Sequence, residues 1–129
     1  MQAVICTRYG SPDVLRLQEV VRPEPADGEV LVGVQAASIN ARDARLMRAD
    51  PFVIRFRRGG LARPPNPILG ADLAGRVEAV GRGVTRFRPG DEVFGYLPVA
   101  LGRGTFAENA CVPEGLLALK PQGLTFEQA

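Results

Sequence analysis

The sequence predicts a mainly β domain of short strands joined by tight turns. Its 129 residues include 15 glycines and 11 prolines, a proportion that suits many turns better than long helices. With 46% hydrophobic residues the chain can bury one core, and its length corresponds to one domain over residues 1–129. We therefore expect a small sheet that closes, or nearly closes, on itself.

Two strands and a turn open the chain. Residues 2–8 and 14–21 flank the turn Gly10-Ser11-Pro12-Asp13, which predicts a hairpin. After a proline-stiffened loop at 22–28, residues 29–39 alternate in polarity and then become apolar. That pattern predicts a long strand buried at one end.

A short helix is predicted directly after this strand. Asn40 is a favourable N-cap residue, and Asp43 follows three positions later, before apolar residues at helical spacing. The helix cannot extend far, because a residue that precedes a proline, as Asp50 precedes Pro51, disfavours helical backbone. The apolar and basic segment 52–65 is predicted to be a mobile excursion.

Strands are predicted again in the second half of the chain. Alternating or apolar stretches are separated by glycine and proline turns at 81–83 and 88–91. The last residues, Thr125 to Gln128, are expected to begin a helix that the sequence ends before completing. The predicted strands are residues 73–80, 92–97, 105–112 and 116–120.

Composition excludes several kinds of site. The chain has no histidine, so a Ser-His-Asp triad, a Cys-His dyad and every zinc site that needs histidine are excluded. Cys6 and Cys111 lie in separate apolar stretches, where they are expected to be buried side chains rather than a disulfide or a metal pair.

Charge and hydropathy also limit the partners. The net charge of +2 and the lack of a nucleic-acid motif predict no nucleic-acid binding. No apolar run is long enough to span a bilayer, and residues 1–8 do not resemble a signal peptide. We expect no membrane association and a cytoplasmic location.

Four motifs carry a resemblance to a known family. The block Gly70-Ala71-Asp72-Leu73-Ala74-Gly75 and three further motifs resemble, in order, the amino-terminal catalytic domain of the medium-chain dehydrogenase/reductases. The likeness is to the zinc-independent, quinone oxidoreductase-like branch and covers nearly the whole chain. It implies a GroES-like, partly open β-barrel with short helices. The other motifs are Tyr9-Gly10-Ser11-Pro12-Asp13-Val14-Leu15, Pro89-Gly90-Asp91-Glu92-Val93-Phe94-Gly95 and Gly104-Thr105-Phe106-Ala107-Glu108.

The resemblance implies a catalytic site without its metal. Zinc enzymes of the superfamily have histidine at the position of Ala71 and cysteine at the position of Asn40, and no cysteine-rich lobe lies between Val93 and Val112. No zinc is therefore expected. Instead, Asn40 is expected to donate a hydrogen bond to a substrate carbonyl oxygen and to stabilise the charge that develops as hydride arrives. The alternative is that Asn40 only caps the helix.

Two acidic residues accompany Asn40. Asp43 is either a first-turn acid favoured by the helix dipole, or a residue that orients Asn40 or the nicotinamide ribose. Asp72 follows the position of the lost histidine and is expected to pair with a nearby arginine.

The segment after the helix is the predicted substrate side. Phe52, Phe56 and Leu61 are expected to line an apolar pocket, or else to anchor a loop. Arginines are concentrated here and form either a solvated face or a surface that steers an anionic cofactor. They are Arg42, Arg45, Arg48, Arg55, Arg57, Arg58 and Arg63.

A dinucleotide-binding fold is not found in this sequence. Neither Gly81-Arg82-Gly83 nor Gly102-Arg103-Gly104 supplies the third glycine of the Rossmann motif. The resemblance implies the substrate-side domain of an NADPH-dependent reductase of quinones or α,β-unsaturated carbonyls, with Asn40 and Asp43 beside substrate and cofactor. A Rossmann domain in cis or in trans would hold the nicotinamide, and the chain alone is expected to be inactive.

The alternative to an enzyme domain is a stand-alone GroES-like interaction module. Such a module would dock on another chain through the surface that a Rossmann domain would otherwise cover. A severed part of an enzyme would instead expose an apolar patch at this surface and would tend to self-associate, including as homo-oligomers.

Overall fold

Two antiparallel sheets make up most of the computed structural model, which describes residues 1–57, 60–61 and 63–129. The first sheet is the hairpin of β1 (Gln2–Cys6) and β2 (Leu15–Glu19). The second has the strand order β6-β3-β4-β5-β7. Its strands are β3 (Glu29–Ala36), β4 (Asp72–Val80), β5 (Glu92–Tyr96), β6 (Asn109–Pro113) and β7 (Leu117–Leu119).

Single-residue bridges join the two sheets. Ala3 pairs with Ala107, and Ile5 pairs with Ile68. Over the described residues, the strands do not close into a complete barrel. The predicted mainly β fold, a partly open barrel with short helices, is confirmed.

Side chains of the five-stranded sheet form most of the main core. It is formed by fully or nearly fully buried side chains of β3, β4, β5 and β6 together with Phe87, Leu97 and Leu117. Strands β3 and β4 approach closely at Gly75, where a β-carbon would meet the carbonyl group of Gly33. Because glycine has no β-carbon, β3 and β4 can approach this closely at Gly75.

Helix α1 (Ala41–Arg48) starts at the predicted residue, with Asn40 as its N-cap. It ends at Ala49, which adopts a left-handed conformation with φ of 54°. Met47 packs with Cys6, Val14 and Leu69 in a second, smaller core. This contact holds the helix between the hairpin and the segment that leads into β4.

Six of the seven strands are shorter than predicted, and β3 and β6 illustrate why. Strand β3 ends at Ala36 rather than residue 39, because the chain leaves the sheet to reach the start of α1. Strand β6 begins at Asn109 rather than residue 105, because Phe106 donates its backbone N–H to the Leu69 carbonyl at 3.0 Å. That bond directs residues 105–107 towards the small core instead of the sheet.

The segment predicted as a mobile excursion contains a short helix, α2 (Ile54–Arg57). Arg58, Gly59 and Ala62 of that segment lie outside the described residues. At the other end, Gln128 donates its backbone N–H to the Thr125 carbonyl at 3.3 Å, which closes a single turn. None of the helices in the described ranges has the length and apolarity to cross a bilayer.

Candidate functional site

Asn40 lies between β3 and α1, and Asp72 fixes the orientation of its side-chain amide. The Nδ2 atom of Asn40 donates to Asp72 Oδ2 at 2.6 Å, and the Ser38 hydroxyl donates to the same oxygen at 2.6 Å. An ionised carboxylate only accepts, so the nitrogen of the Asn40 amide must face Asp72. Nδ2 also donates to Ser38 Oγ at 3.4 Å, a long hydrogen bond that a ligand oxygen can replace.

Asn40 does more than cap the helix. It occupies the N-cap position with extended backbone, φ −109° and ψ 155°. A cap alone would not require an amide nitrogen bonded to Asp72, a residue on a different element. The Asn40 side chain makes no capping hydrogen bond, and its donation to a substrate oxygen stays a prediction.

Asp43 is a buried carboxylate that binds backbone on two segments. Only 3% of its surface is exposed. Its Oδ2 atom accepts the N–H of Asn40 at 2.9 Å, and its Oδ1 atom accepts the N–H of Gly70 at 3.2 Å. This geometry supports the interpretation that Asp43 orients Asn40, while contact with a nicotinamide ribose stays a prediction.

Asp72 stands at the head of a cleft of about 480 Å³, named here the Asp72 cleft. Apolar side chains on one face of the sheet form its floor, and polar groups of Ser38, Asp72 and Tyr96 lie at its head. The carboxyl-terminal residues Phe126 and Glu127 complete the wall. The floor includes Ala36, Ala74 and Phe94.

The predicted ion pair between Asp72 and an arginine is wrong for the described residues. Among them, Asp72 forms no ion pair and accepts the Ser38 and Asn40 hydrogen bonds instead. The nearby guanidinium of Arg42 turns towards other partners. It lies 3.8 Å from Asp43 Oδ1 and donates to Tyr96 Oη at 2.8 Å.

Tyr96 is the site residue that sequence reasoning missed. It is the cross-strand partner of Asp72 between β4 and β5, and half of its surface is exposed. Its position inside the predicted strand 92–97 was the available signal. Only the register of β4 against β5 shows that its ring faces the same side as Asp72.

The predicted substrate residues form a separate cluster. Phe52 and Phe56 pack edge to face with ring centres 5.6 Å apart, and the Arg55 guanidinium lies 4.8 Å from the Phe52 ring centre. Phe52, Phe56 and Leu61 are 58%, 62% and 58% exposed and are not among the residues that line the Asp72 cleft. Their role in substrate binding stays a prediction.

The donor groups at the former metal position do not fit a zinc ion. Ala71 is fully buried and offers a methyl group, and the Asn40 nitrogen is already bonded to Asp72. The described residues contain no cluster of three or more histidine, cysteine, aspartate or glutamate side chains suited to a metal. Both cysteines are buried in different strands, and burial raises the pKa of each thiol.

Comparisons with known proteins show the family to which the chain belongs. The family model described as Alcohol dehydrogenase GroES-like domain matches residues 26–122. The quinone oxidoreductase of Mus musculus is 35% identical over 131 residues, which cover 99% of this chain and 36% of that protein. The chloroplastic NADPH-dependent alkenal/one oxidoreductase of Arabidopsis thaliana is 36% identical over 135 residues, covering 100% of this chain and 33% of that protein.

A solved structure shows the same fold. The quinone oxidoreductase from Coxiella burnetii superposes with a TM-score of 0.88 at 29% identity, over 100% of this chain and 39% of that one. The chain thus spans about a third of the length of the curated relatives it matches.

Proposed function

Because this chain belongs to the alcohol dehydrogenase GroES-like domain family, we propose that it is the substrate-side domain of a zinc-independent, NAD(P)H-dependent oxidoreductase. The proposed reaction reduces quinones or α,β-unsaturated carbonyls by hydride transfer. One observation carries the proposal. The Asn40 amide is held by Asp72, which lines an apolar cleft, and the other hydrogen bond of this amide, to Ser38 Oγ, is long at 3.4 Å.

The shape and chemistry of the Asp72 cleft suit a conjugated carbonyl compound. A planar apolar ring can lie against Phe94 and Ala74 on the floor. Its carbonyl oxygen then reaches the polar head, where the second N–H of Asn40 is the donor. A donor placed at a developing oxyanion lowers a reaction barrier by about 3–4 kcal/mol. The Asp72 carboxylate accepts the other hydrogen of the same nitrogen and so directs the second N–H towards the substrate oxygen.

A reduced nicotinamide would supply the hydride in this reaction. The Ser38 hydroxyl would face such a ligand, since it lines the cleft and its oxygen can accept a hydrogen bond while its hydrogen is donated to Asp72. Asp43 would act through Asn40, since both of its oxygens already accept backbone hydrogen bonds. In the proposal, a Rossmann domain in cis or in trans holds the rest of the cofactor.

The exposure of Ile39 supports a covering domain at this site. Ile39 lies between Ser38 and Asn40, and 84% of its surface is exposed. An aliphatic side chain next to a polar site is stabilised when another protein surface covers it.

Ligand binding by the chain itself tests the proposal. We expect duroquinone and 2-cyclohexen-1-one to shift the Asn40 side-chain amide signals of the ¹⁵N-labelled protein in a saturable manner. Cyclohexanol, which has no carbonyl group, is the matched control ligand and should have no such effect. A stand-alone interaction module predicts instead that neither carbonyl ligand affects Asn40, and that result would count against an enzyme site.

Turnover gives a second, independent test. We expect the chain alone to show no quinone-dependent oxidation of NADPH, and turnover by it would contradict the proposed division of roles. In a fusion that replaces the matching part of the Coxiella burnetii enzyme, Asn40→Ala should lower kcat by about 100-fold, the usual effect of losing one oxyanion donor.

A further inference from the structure

We propose that Tyr96 is a second hydrogen-bond donor and the proton donor to the substrate carbonyl oxygen, and that Arg42 is its positioning residue. This inference rests on the function proposed above and assigns a role to two residues that the sequence motifs do not single out. Tyr96 would touch the substrate, whereas Arg42 would act through Tyr96.

The register of the sheet places Tyr96 beside the Asn40 site. Tyr96 on β5 is the direct partner of Asp72 on β4. Directly opposed residues of an antiparallel pair share one face, with β-carbons about 5 Å apart. Both side chains line the Asp72 cleft. The phenol and the Asn40 amide therefore both neighbour Asp72, the phenol through the strand register and the amide through its hydrogen bond.

The hydrogen of the Tyr96 hydroxyl is available to donate to a ligand. Arg42 donates an N–H to Tyr96 Oη at 2.8 Å. A guanidinium has no acceptor, so the phenol oxygen accepts in this bond and its hydrogen stays unused. Among the described residues, no hydrogen bond is donated by Tyr96 Oη, and the side chain is half exposed at the cleft.

Arg42 is held in place and partly shielded from water. It also donates to the Leu97 carbonyl at 3.3 Å, and its guanidinium lies 3.8 Å from Asp43 Oδ1. Only 23% of its side chain is exposed. A cation withdrawn from water acts more strongly on a neighbouring charge, so Arg42 can stabilise negative charge on the Tyr96 oxygen.

The proton balance of the step is simple. When the β-carbon of an enone accepts hydride from a reduced nicotinamide, the carbonyl oxygen becomes an enolate. The Tyr96 O–H bond then breaks, the proton forms the enol O–H bond, and the electron pair remains on the tyrosinate beside Arg42. The enol rearranges to the saturated ketone, and water returns a proton to Tyr96. With a quinone, hydride at a ring carbon and the proton at oxygen give a keto tautomer, which loses a proton from that carbon to water while its second oxygen gains one, and so becomes the hydroquinone.

The chain offers an internal control for a test by NMR. It contains two tyrosines and no tryptophan, so labelling with [Cζ-¹³C]tyrosine gives two signals, which Tyr9→Phe assigns. Tyr9 Oη already donates to the Gly60 carbonyl at 2.7 Å. On titration with duroquinone or 2-cyclohexen-1-one, we expect the Tyr96 signal to shift and the Tyr9 signal to stay in place.

Variants separate the roles of the two residues. Tyr96→Phe keeps the ring and should weaken binding of the carbonyl ligand by about tenfold, the effect of one lost hydrogen bond. Arg42→Met should reduce the ligand-induced shift of Tyr96, and Arg42→Lys should restore part of it, because a merely structural role would not depend on the charge.

Each result distinguishes the inference from the function on which it rests. If the Asn40 amide responds to the ligand but Tyr96 does not, the inference is overturned and the proposed function stands. If neither residue responds, both are overturned. If Arg42→Met leaves both the ligand-induced shift of Tyr96 and the affinity for the carbonyl ligand unchanged, Arg42 does not position Tyr96.

Discussion

Asp43 Oδ1 accepts the main-chain N–H of Gly70 at 3.2 Å and so joins helix α1 to the segment that leads into β4. The other carboxylate oxygen accepts the N–H of Asn40 at 2.9 Å. One buried side chain therefore positions the residue that carries the amide. The same side chain also holds Gly70, and Asp72, which orients this amide, follows Gly70 by two residues.

Replacing the Asp43 carboxylate should cost stability. In Asp43→Asn, one of the two backbone donors faces an amide NH₂ instead of an oxygen. Leaving a buried donor without an acceptor costs about 1–3 kcal/mol, so we expect a loss of this size in urea unfolding. Asp27→Asn is the matched control, because Asp27 is exposed in its ion pair with Arg82 and should change the unfolding free energy by less than about 0.5 kcal/mol. Equal losses in the two variants would contradict the bridging role of Asp43.

Gly70 should not tolerate a side chain. Its φ is +96°, and an added β-carbon would collide with Thr105 Oγ1 and the Phe106 ring. We expect Gly70→Ala to lower the unfolding free energy by about 2–4 kcal/mol, from backbone strain and overpacking together. Gly115→Ala is the control, because a β-carbon there has no neighbour within 4 Å. Thermal unfolding measures the midpoint temperature of each variant. Similar midpoints for Gly70→Ala and Gly115→Ala would contradict the prediction that Gly70 does not tolerate a side chain.

The sequence predicted the local elements better than the contacts between them. Cap and turn residues are local signals, so Asn40 marked the start of α1 correctly and Gly10 to Asp13 marked the first hairpin. The partner of Asp72 depended on where the chain turns after Ala36 and was predicted wrongly. Tyr96 was missed because its place beside Asp72 is set by strand register, which no local pattern specifies.

Exchanging the amide and the carboxylate tests the bond between Asn40 and Asp72. Asn40→Asp retains a good capping residue but places two carboxylates in contact, where Nδ2 and Oδ2 are now 2.6 Å apart. We expect a loss of about 2 kcal/mol at neutral pH, because two negative charges in contact repel each other. The double variant Asn40→Asp/Asp72→Asn restores one donor and one acceptor and should recover most of the stability. The free energies of unfolding are measured in urea for both single variants and for the double variant. If the losses of the single variants add up in the double variant, the two side chains do not interact.

The buried thiols should make stability fall at alkaline pH. Burial raises the pKa of Cys6 and Cys111 above the ordinary value of 9.0, and nearby Glu29 adds to the effect at Cys111. The folded chain thus holds these protons more tightly than the unfolded chain, so their contribution is complete below pH 9 and is lost as pH rises through the folded-state values. We expect the unfolding free energies of the wild type and of Cys6→Ala/Cys111→Ala to converge as pH rises above 9.0, because other titrating groups cancel in the difference. Parallel curves over this range would mean that the thiols are more accessible to water than the structure shows.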